Sequence, residues 1–352
     1  MRKSLIVGMA ILVIVGAIVA FNLFYREEKI PVLTENQIKN GIVFVSGGNI
    51  LIANVDGSNL TAITQGSKPT FSPDRKKLAF LSRNEIYLID FEKGSKVKLC
   101  DGVEFKFSPD SQKLAFILKE EKRFSLNLID LTTQKILKLT EGWESINRIS
   151  WSPDGKRIAF GEVRDTQNGT KYIPLSEKIF IINTDGTNLI ELIEGREPVW
   201  SPKEEKIAFV KWYGVEKEVV MELFVIDLAT KSITKIAKNA NFPSWSPDGR
   251  KIAFIGFDYK RNEYGNIVDE IRDIFVFDIE TGNLTKLTKG NPTIWIFGPL
   301  VWSPDGKSIA FTVEPKFGGD TEIYLVNIED KSIRNISNNP GVPDTDPCFP
   351  PP

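Results

Sequence analysis

The side chains that most often perform chemistry near neutral pH are not all present in this sequence. It contains no histidine. Imidazole is the commonest general acid–base group, so Ser-His-Asp and Cys-His catalysis within this chain are excluded. Histidine-ligated metal centres are excluded with them. Two kinds of chemistry survive. One is carboxylate catalysis, which needs two acidic groups about 5–10 Å apart. The other is cation binding by oxygen ligands. The acidic residues with a repeated setting are Asp74, Asp110, Asp154, Asp248 and Asp305, each preceded by aromatic-Ser-Pro. Proline presets φ and aspartate bonds local backbone, so turn formation accounts for these carboxylates without any ligand. No catalytic pair, metal motif or cofactor motif is assigned.

A second group of side chains suits recognition. Tyr172, Trp212, Tyr213, Tyr259, Arg261, Tyr264, Trp295, Lys316 and Phe317 fall where the repeat is interrupted by longer segments. Tyrosine, tryptophan and arginine are the residues that anchor interfaces. Packing of one loop on another explains any single aromatic equally well. As a set they predict a face that binds a protein, peptide or glycan, with Trp212, Tyr259 and Trp295 at its centre.

These residues must be positioned by a repeated unit. Six copies of one motif begin at Phe71, Phe107, Trp151, Trp200, Trp245 and Trp302, with the form aromatic-Ser-Pro-Asp-Gly-Lys-x-Ile-Ala-Phe. Their spacings run from 36 to 57 residues, a period that marks propellers and solenoids. The aromatic ends one strand, Ser-Pro-Asp-Gly turns, and Leu/Ile-Ala-Phe starts the next. The fourth copy has Lys203 in place of aspartate, so its turn is expected to differ. A further strand signal follows each motif: Glu85–Asp90, Phe124–Asp130, Lys178–Asn183, Glu222–Asp227, Asp273–Asp278 and Glu322–Asn327. A tight turn and a short outer strand complete four strands per repeat, one propeller blade.

Gly41–Ser46, Asn49–Val55 and Asn59–Thr64 read as the last three strands of another blade. Its missing inner strand is supplied by Asp346–Pro351, where Phe349 takes the aromatic position. The fold class is therefore all-β, a seven-bladed propeller over residues 41–352 closed by its C-terminal strand. Six blades is the alternative. Closure removes exposed sheet edges. Short loops follow the second strand in blades 1 to 3. Longer ones follow in blades 4 to 7, at Glu162–Glu177, Lys211–Val220, Phe257–Arg272 and Val313–Asp320, with a long link at Thr288–Pro299.

Ahead of the repeats, Leu5–Phe24 is nearly continuous apolar sequence, preceded by Arg2 and Lys3. Twenty residues at about 1.5 Å rise cross a hydrocarbon core. The charge balance places the N-terminus in the cytoplasm and the propeller outside. Residues 1–25 are thus expected to be a membrane anchor and 26–40 a polar linker. A cleaved signal peptide is the rival, but the run is long and lacks an A-x-A site. The formal net charge is −1 with no basic stripe, which argues against nucleic acid. Cys100 and Cys348 fall on an outer and an inner strand, too far apart to pair. Asn59, Asn168, Asn283 and Asn335 open glycosylation sequons, each equally explained as turn sequence.

At the six motifs the chain resembles the TolB-type Pro-Asp propeller repeat family, over about residues 41–352. The resemblance implies a propeller at the cell envelope that binds protein partners. It implies no particular partner, because the α/β domain that precedes the TolB propeller is replaced here by the apolar segment and linker. Similar repeats also precede the hydrolase domains of prolyl oligopeptidases and dipeptidyl peptidases, a domain not expected here. The reading is a non-catalytic, extracytoplasmic binding propeller. A carboxylate- or calcium-dependent glycan-active enzyme is the alternative, and an assembly subunit a third.

Overall fold

The motif folds as its residue types dictate. In blade 4 the Ser152 hydroxyl donates to Asp154 Oδ1 at 2.6 Å and accepts from the Arg157 amide at 2.9 Å. Asp154 Oδ1 also accepts from the Lys156 amide at 3.0 Å. The serine bond, joined by that amide, outweighs burial and holds the Asp154 carboxyl below its ordinary range. The residue after aspartate has φ of 68° at Gly155, 73° at Gly249 and 67° at Gly306, a left-handed turn that favours glycine. Arg75 and Ser111 adopt it at 62° without that freedom. In the fourth copy Ser201 Oγ accepts from the Lys203 and Glu204 amides at 3.3 and 3.2 Å, and Lys203 stands where the other copies place the aspartate that accepts from serine. The expected difference at Lys203 is therefore real.

The structure is a computed structural model, and it describes residues 30–164, 176–215, 218–264, 267–290, 294–315 and 318–351. Among them, seven four-stranded antiparallel sheets follow one another in chain order. Six are contiguous in sequence. The remaining sheet joins Asp344–Cys348 to Gly41–Ser46, Asn49–Asn54 and Thr61–Gln65. The count is seven rather than six, and the C-terminal strand closes the first blade.

Blades stack through the Ala-Phe pair of the second strand. Phe44, Phe80, Phe116, Phe160, Phe209, Phe254 and Phe311, one per blade, are fully buried. Five stand directly opposite an aromatic of the third strand, as Phe209 does with Phe224 at 5.7 Å between centroids. Successive blades share cores, for example Ile158, Phe160 and Phe180 of blade 4 with Leu126 and Leu128 of blade 3. The motif tryptophans add polar staples. Trp151, Trp245 and Trp302 Nε1 donate to the carbonyls of Lys106, Val199 and Ser244 in the preceding inner strand, at 3.1, 3.0 and 3.0 Å. Trp200 Nε1 is buried without a hydrogen-bond partner.

Three expectations change. The segment read as a polar linker contains a helix, Glu35–Asn40, opened by a capping box between Thr34 and Gln37. That Thr-x-x-Gln signal is local and was readable. The long segments of blades 5 and 6 are not loops. They extend the second and third strands into hairpins, Lys206–Val215 with Glu218–Asp227 and Lys251–Arg261 with Ile267–Asp278. Trp295 and Phe297 likewise lie in a strand, Ile294–Trp302, rather than in a link. Cys100 and Cys348 are free and sit on outer and inner strands as expected. No helix among the described residues is long and apolar enough to cross a membrane, and Leu5–Phe24 lies outside them.

The staples give a paired prediction. Trp302→Phe removes a made hydrogen bond, whereas Trp200→Phe removes an unmade one. Urea denaturation is expected to show Trp302→Phe less stable than Trp200→Phe by about 1 kcal/mol. Equal losses would show that the indole bonds contribute nothing net.

Candidate functional site

The two turns within each blade, after its first and third strands, lie on one side of the ring. The hairpins of blades 5 and 6 rise from the other side. Their length follows from continued pairing: Trp212 faces Met221, Tyr213 faces Val220, and Tyr259 faces Glu270. A two-stranded ribbon without neighbours needs side-chain support along its faces. Two arginines supply it.

Arg196, at the start of the blade 5 inner strand, lays its guanidinium over the Trp212 ring at 4.1 Å. The same group is 3.3 Å from Glu177 and 3.6 Å from Glu197. Burial pushes the Glu177 carboxyl up against the opposing pull of Arg196. Arg272 repeats the device one blade on. It sits between the Phe257 and Trp295 rings, at 5.4 and 5.1 Å, and bonds Glu270 at 2.6 Å and the Ile296 carbonyl at 3.3 Å. Such stacks contribute about 0.5–2 kcal/mol each.

The expected site residues therefore divide. Trp212 and Trp295 are half-buried and each has a ring face covered by arginine. Tyr259 is half-buried on the blade 6 hairpin. Tyr213 is 37% exposed on the blade 5 hairpin, and Tyr264 is 79% exposed at the blade 6 tip. Asn262 Oδ1 holds that tip by accepting from the Tyr264 amide at 3.0 Å. Arg261 lies in the strand, its side chain outside the description, and Tyr172, Lys316 and Phe317 fall outside the described residues. The structure brings Trp212 with Tyr213 and Tyr259 with Tyr264 onto two neighbouring hairpins.

Sequence reading missed Arg196 and Arg272, and also a set of residues around the axis. The third residue before the motif aromatic is Asp346, Lys68, Glu104, Arg148, Glu197 or Phe242 in blades 1 to 6. Five of these have φ between 49° and 54°, at bulges of the inner strands. Asp346 Oδ2 accepts from the Lys68 amide at 3.0 Å, and Lys68 Nζ reaches Glu104 at 2.7 Å. Arg148 lies 5.9 Å from the Phe242 ring centroid. The charges alternate in sign, and Asp346, Lys68, Glu104 and Glu197 each face an opposite charge or a donor. The only signal in the sequence was position relative to the motif. A cleft of about 450 Å³ between blades 5 and 6, lined by Lys206, Asp227, Phe277 and Thr281, lies on the turn side, away from the hairpins.

The class defined by these sheets is a seven-bladed, velcro-closed β-propeller. Residues 39–170 match the family described as TolB beta propeller domain. A TolB protein of the Tol-Pal system from Francisella tularensis is 33% identical over 99 residues, 28% of this chain and 19% of the relative. Dipeptidyl-peptidase 5 of Porphyromonas gingivalis is 29% identical over 160 residues, 42% of this chain and 22% of the relative. The matches thus span about a fifth of these relatives' lengths. Among solved structures, TolB from Acinetobacter baumannii superposes with a TM-score of 0.54 at 18% identity, covering 96% of this chain and 72% of that one. Oligogalacturonate lyase from Vibrio parahaemolyticus gives 0.58 at 14% identity, covering 84% and 86%. At these identities the superpositions establish the fold.

Replacing Arg272 by methionine keeps the stem and removes the charge between the two rings. The blade 6 hairpin is expected to lose hydrogen-exchange protection while the motif turns keep theirs. Unchanged protection at Phe257–Tyr259 would show that the stack does not support the hairpin.

Proposed function

We propose that this chain is a binding propeller of the cell envelope, and that the two hairpins of blades 5 and 6 contact a protein or peptide. The observation that carries the reading is the division of the aromatics. The tryptophans are covered by Arg196 and Arg272, while Tyr213 reaches the surface from its strand and Tyr264 is exposed in the turn of the neighbouring hairpin. Exposed tyrosines on a pre-organised element lose little conformational entropy on binding. The TolB relatives support an envelope setting. A membrane anchor over residues 1–25, an extracytoplasmic propeller and a glycan ligand are further parts of this reading.

The enzymatic alternative has the peptidase and the lyase among the similar proteins behind it. It requires two carboxylates free to act together. Near the axis Glu104 is joined to Lys68, and Glu197 lies beside Arg196. At these two positions the pairing favours binding over hydrolysis.

The centre of the proposed contact moves outward from the tryptophans. Tyr213→Ser with Tyr264→Ser is expected to lower capture of an envelope partner by tenfold or more in pull-downs from solubilised membranes, with thermal stability retained. Trp212→Ala with Trp295→Ala is expected to lower stability as well. Wild-type capture by the double tyrosine variant would sink the hairpin assignment.

A further inference from the structure

Among the described residues, the seam between blades 7 and 1 holds a buried acidic group that the fold leaves without a hydrogen-bond partner. Asp344 opens the ring-closing strand opposite Ser46, and its amide donates to the Thr321 carbonyl at 2.8 Å. Its side chain is 0% exposed. Neither carboxylate oxygen has a hydrogen-bond partner, and the neighbouring Thr321 Oγ1 is buried and unpartnered too. Beside them, Glu322 accepts from the Ser337 hydroxyl at 2.6 Å and the Asn339 amide at 3.4 Å. Asn339 Nδ2 in turn donates to Ser46 Oγ at 3.0 Å, which ties this set across the seam. Asp320 stands next in sequence. Among the described residues no lysine or arginine forms an ion pair with Asp320, Glu322 or Asp344.

The Ser46 and Ser337 hydroxyls also lie beside the Asp344 carboxyl, but Ser337 already donates to Glu322 and Ser46 already accepts from Asn339. A proton on Asp344 would cancel its charge but would serve only one of its two carboxylate oxygens. A small cation would occupy both carboxylate oxygens and Thr321 Oγ1 together. We propose that the seam between blades 7 and 1 binds a hard divalent cation, calcium in the first place, with Asp344 as its principal ligand. No three acidic or cysteine side chains converge into a metal cage among the described residues. The donor set is therefore Asp344 and Glu322 with neutral oxygens, Thr321 Oγ1 foremost, and solvent. Calcium accepts six to eight oxygens in irregular geometry with carbonyl, hydroxyl and water among them, whereas magnesium demands a near-ideal octahedron. The cation would join the ring-closing strand to blade 7, so occupancy would be linked to closure.

The test uses the full chain freed of metal with EGTA and titrated with calcium chloride, read by calorimetry and by thermal unfolding. The expected result is one calcium per chain and a melting temperature that rises with calcium. Asp344→Asn removes the charge at nearly constant shape. It is expected to weaken calcium binding at least tenfold and to melt higher than wild type in EGTA. Thr321→Val is expected to fold and bind calcium more weakly. Absence of calcium uptake by the wild-type chain overturns the proposal, as does equal uptake by Asp344→Asn. A metal-free chain that gains stability on acidification while calcium changes nothing overturns it too, since a proton then neutralises Asp344.

Discussion

Ring closure is the constraint on which this molecule rests. Each blade offers unpaired backbone at its inner and outer edges and an apolar face to each neighbour, so an open ring would expose both. The two halves of the closing sheet, Gly41–Ser46 and Asp344–Cys348, come from opposite ends of the repeat array. Bringing such distant segments together costs loop-closure entropy. The gain lies in the core that forms around them: Ile42 and Phe44 of blade 1 pack with Ala310, Ile323 and Leu325 of blade 7, and Phe349 joins the same cluster. Polar bonds reach past the closing blade. Lys68 donates its amide to Asp346, and Arg75 Nε donates to the Pro351 carbonyl at 2.7 Å. The last strand is thus held from blades 1, 2 and 7 together.

Much of this was legible because it is local. Ser152, Asp154 and Gly155 form their turn through bonds within a few residues, and the same letters recur in other copies. Phe254 and Phe311 could be placed in the core from the Ala-Phe pair alone. The shared blade was also readable, since Phe349 follows a proline and a small residue as Trp200 does. The blade 5 and 6 hairpins were not. The stretch from Lys211 to Val220 alternates poorly, so no regular core-facing stripe marks it as strand. Trp212 and Tyr213 looked alike in sequence. What separates them is Arg196, sixteen positions upstream, and only the tertiary fold brings it over one ring and not the other.

The same reason hides the residues around the axis. Lys68, Arg148 and Glu197 share no residue type, so no motif marks them. Their common feature is an inner-strand bulge with positive φ, set by pairing with the next strand rather than by their own side chains. A bulge there shifts the register of the strand as it approaches the motif aromatic. Alternating signs then become useful. Neighbouring inner strands approach closely, and like charges at one level would repel across every seam.

That pairing throws the 7–1 seam into relief. At the 2–3 seam Glu104 meets Lys68, and at the 4–5 seam Glu177 meets Arg196. Phe297 and Val301 flank a bulge in the blade 7 inner strand, which carries no charge between them. Asp344 is left to face Glu322 instead. A lone buried carboxylate opposes folding unless it is neutralised or coordinated. Here it lies on the strand that closes the ring without covalent continuity to its sheet. A penalty placed in the interior of a contiguous blade would weaken the whole fold. Placed on the closing strand, it weighs chiefly on closure, and any species that relieves it acts on that step more than on the others.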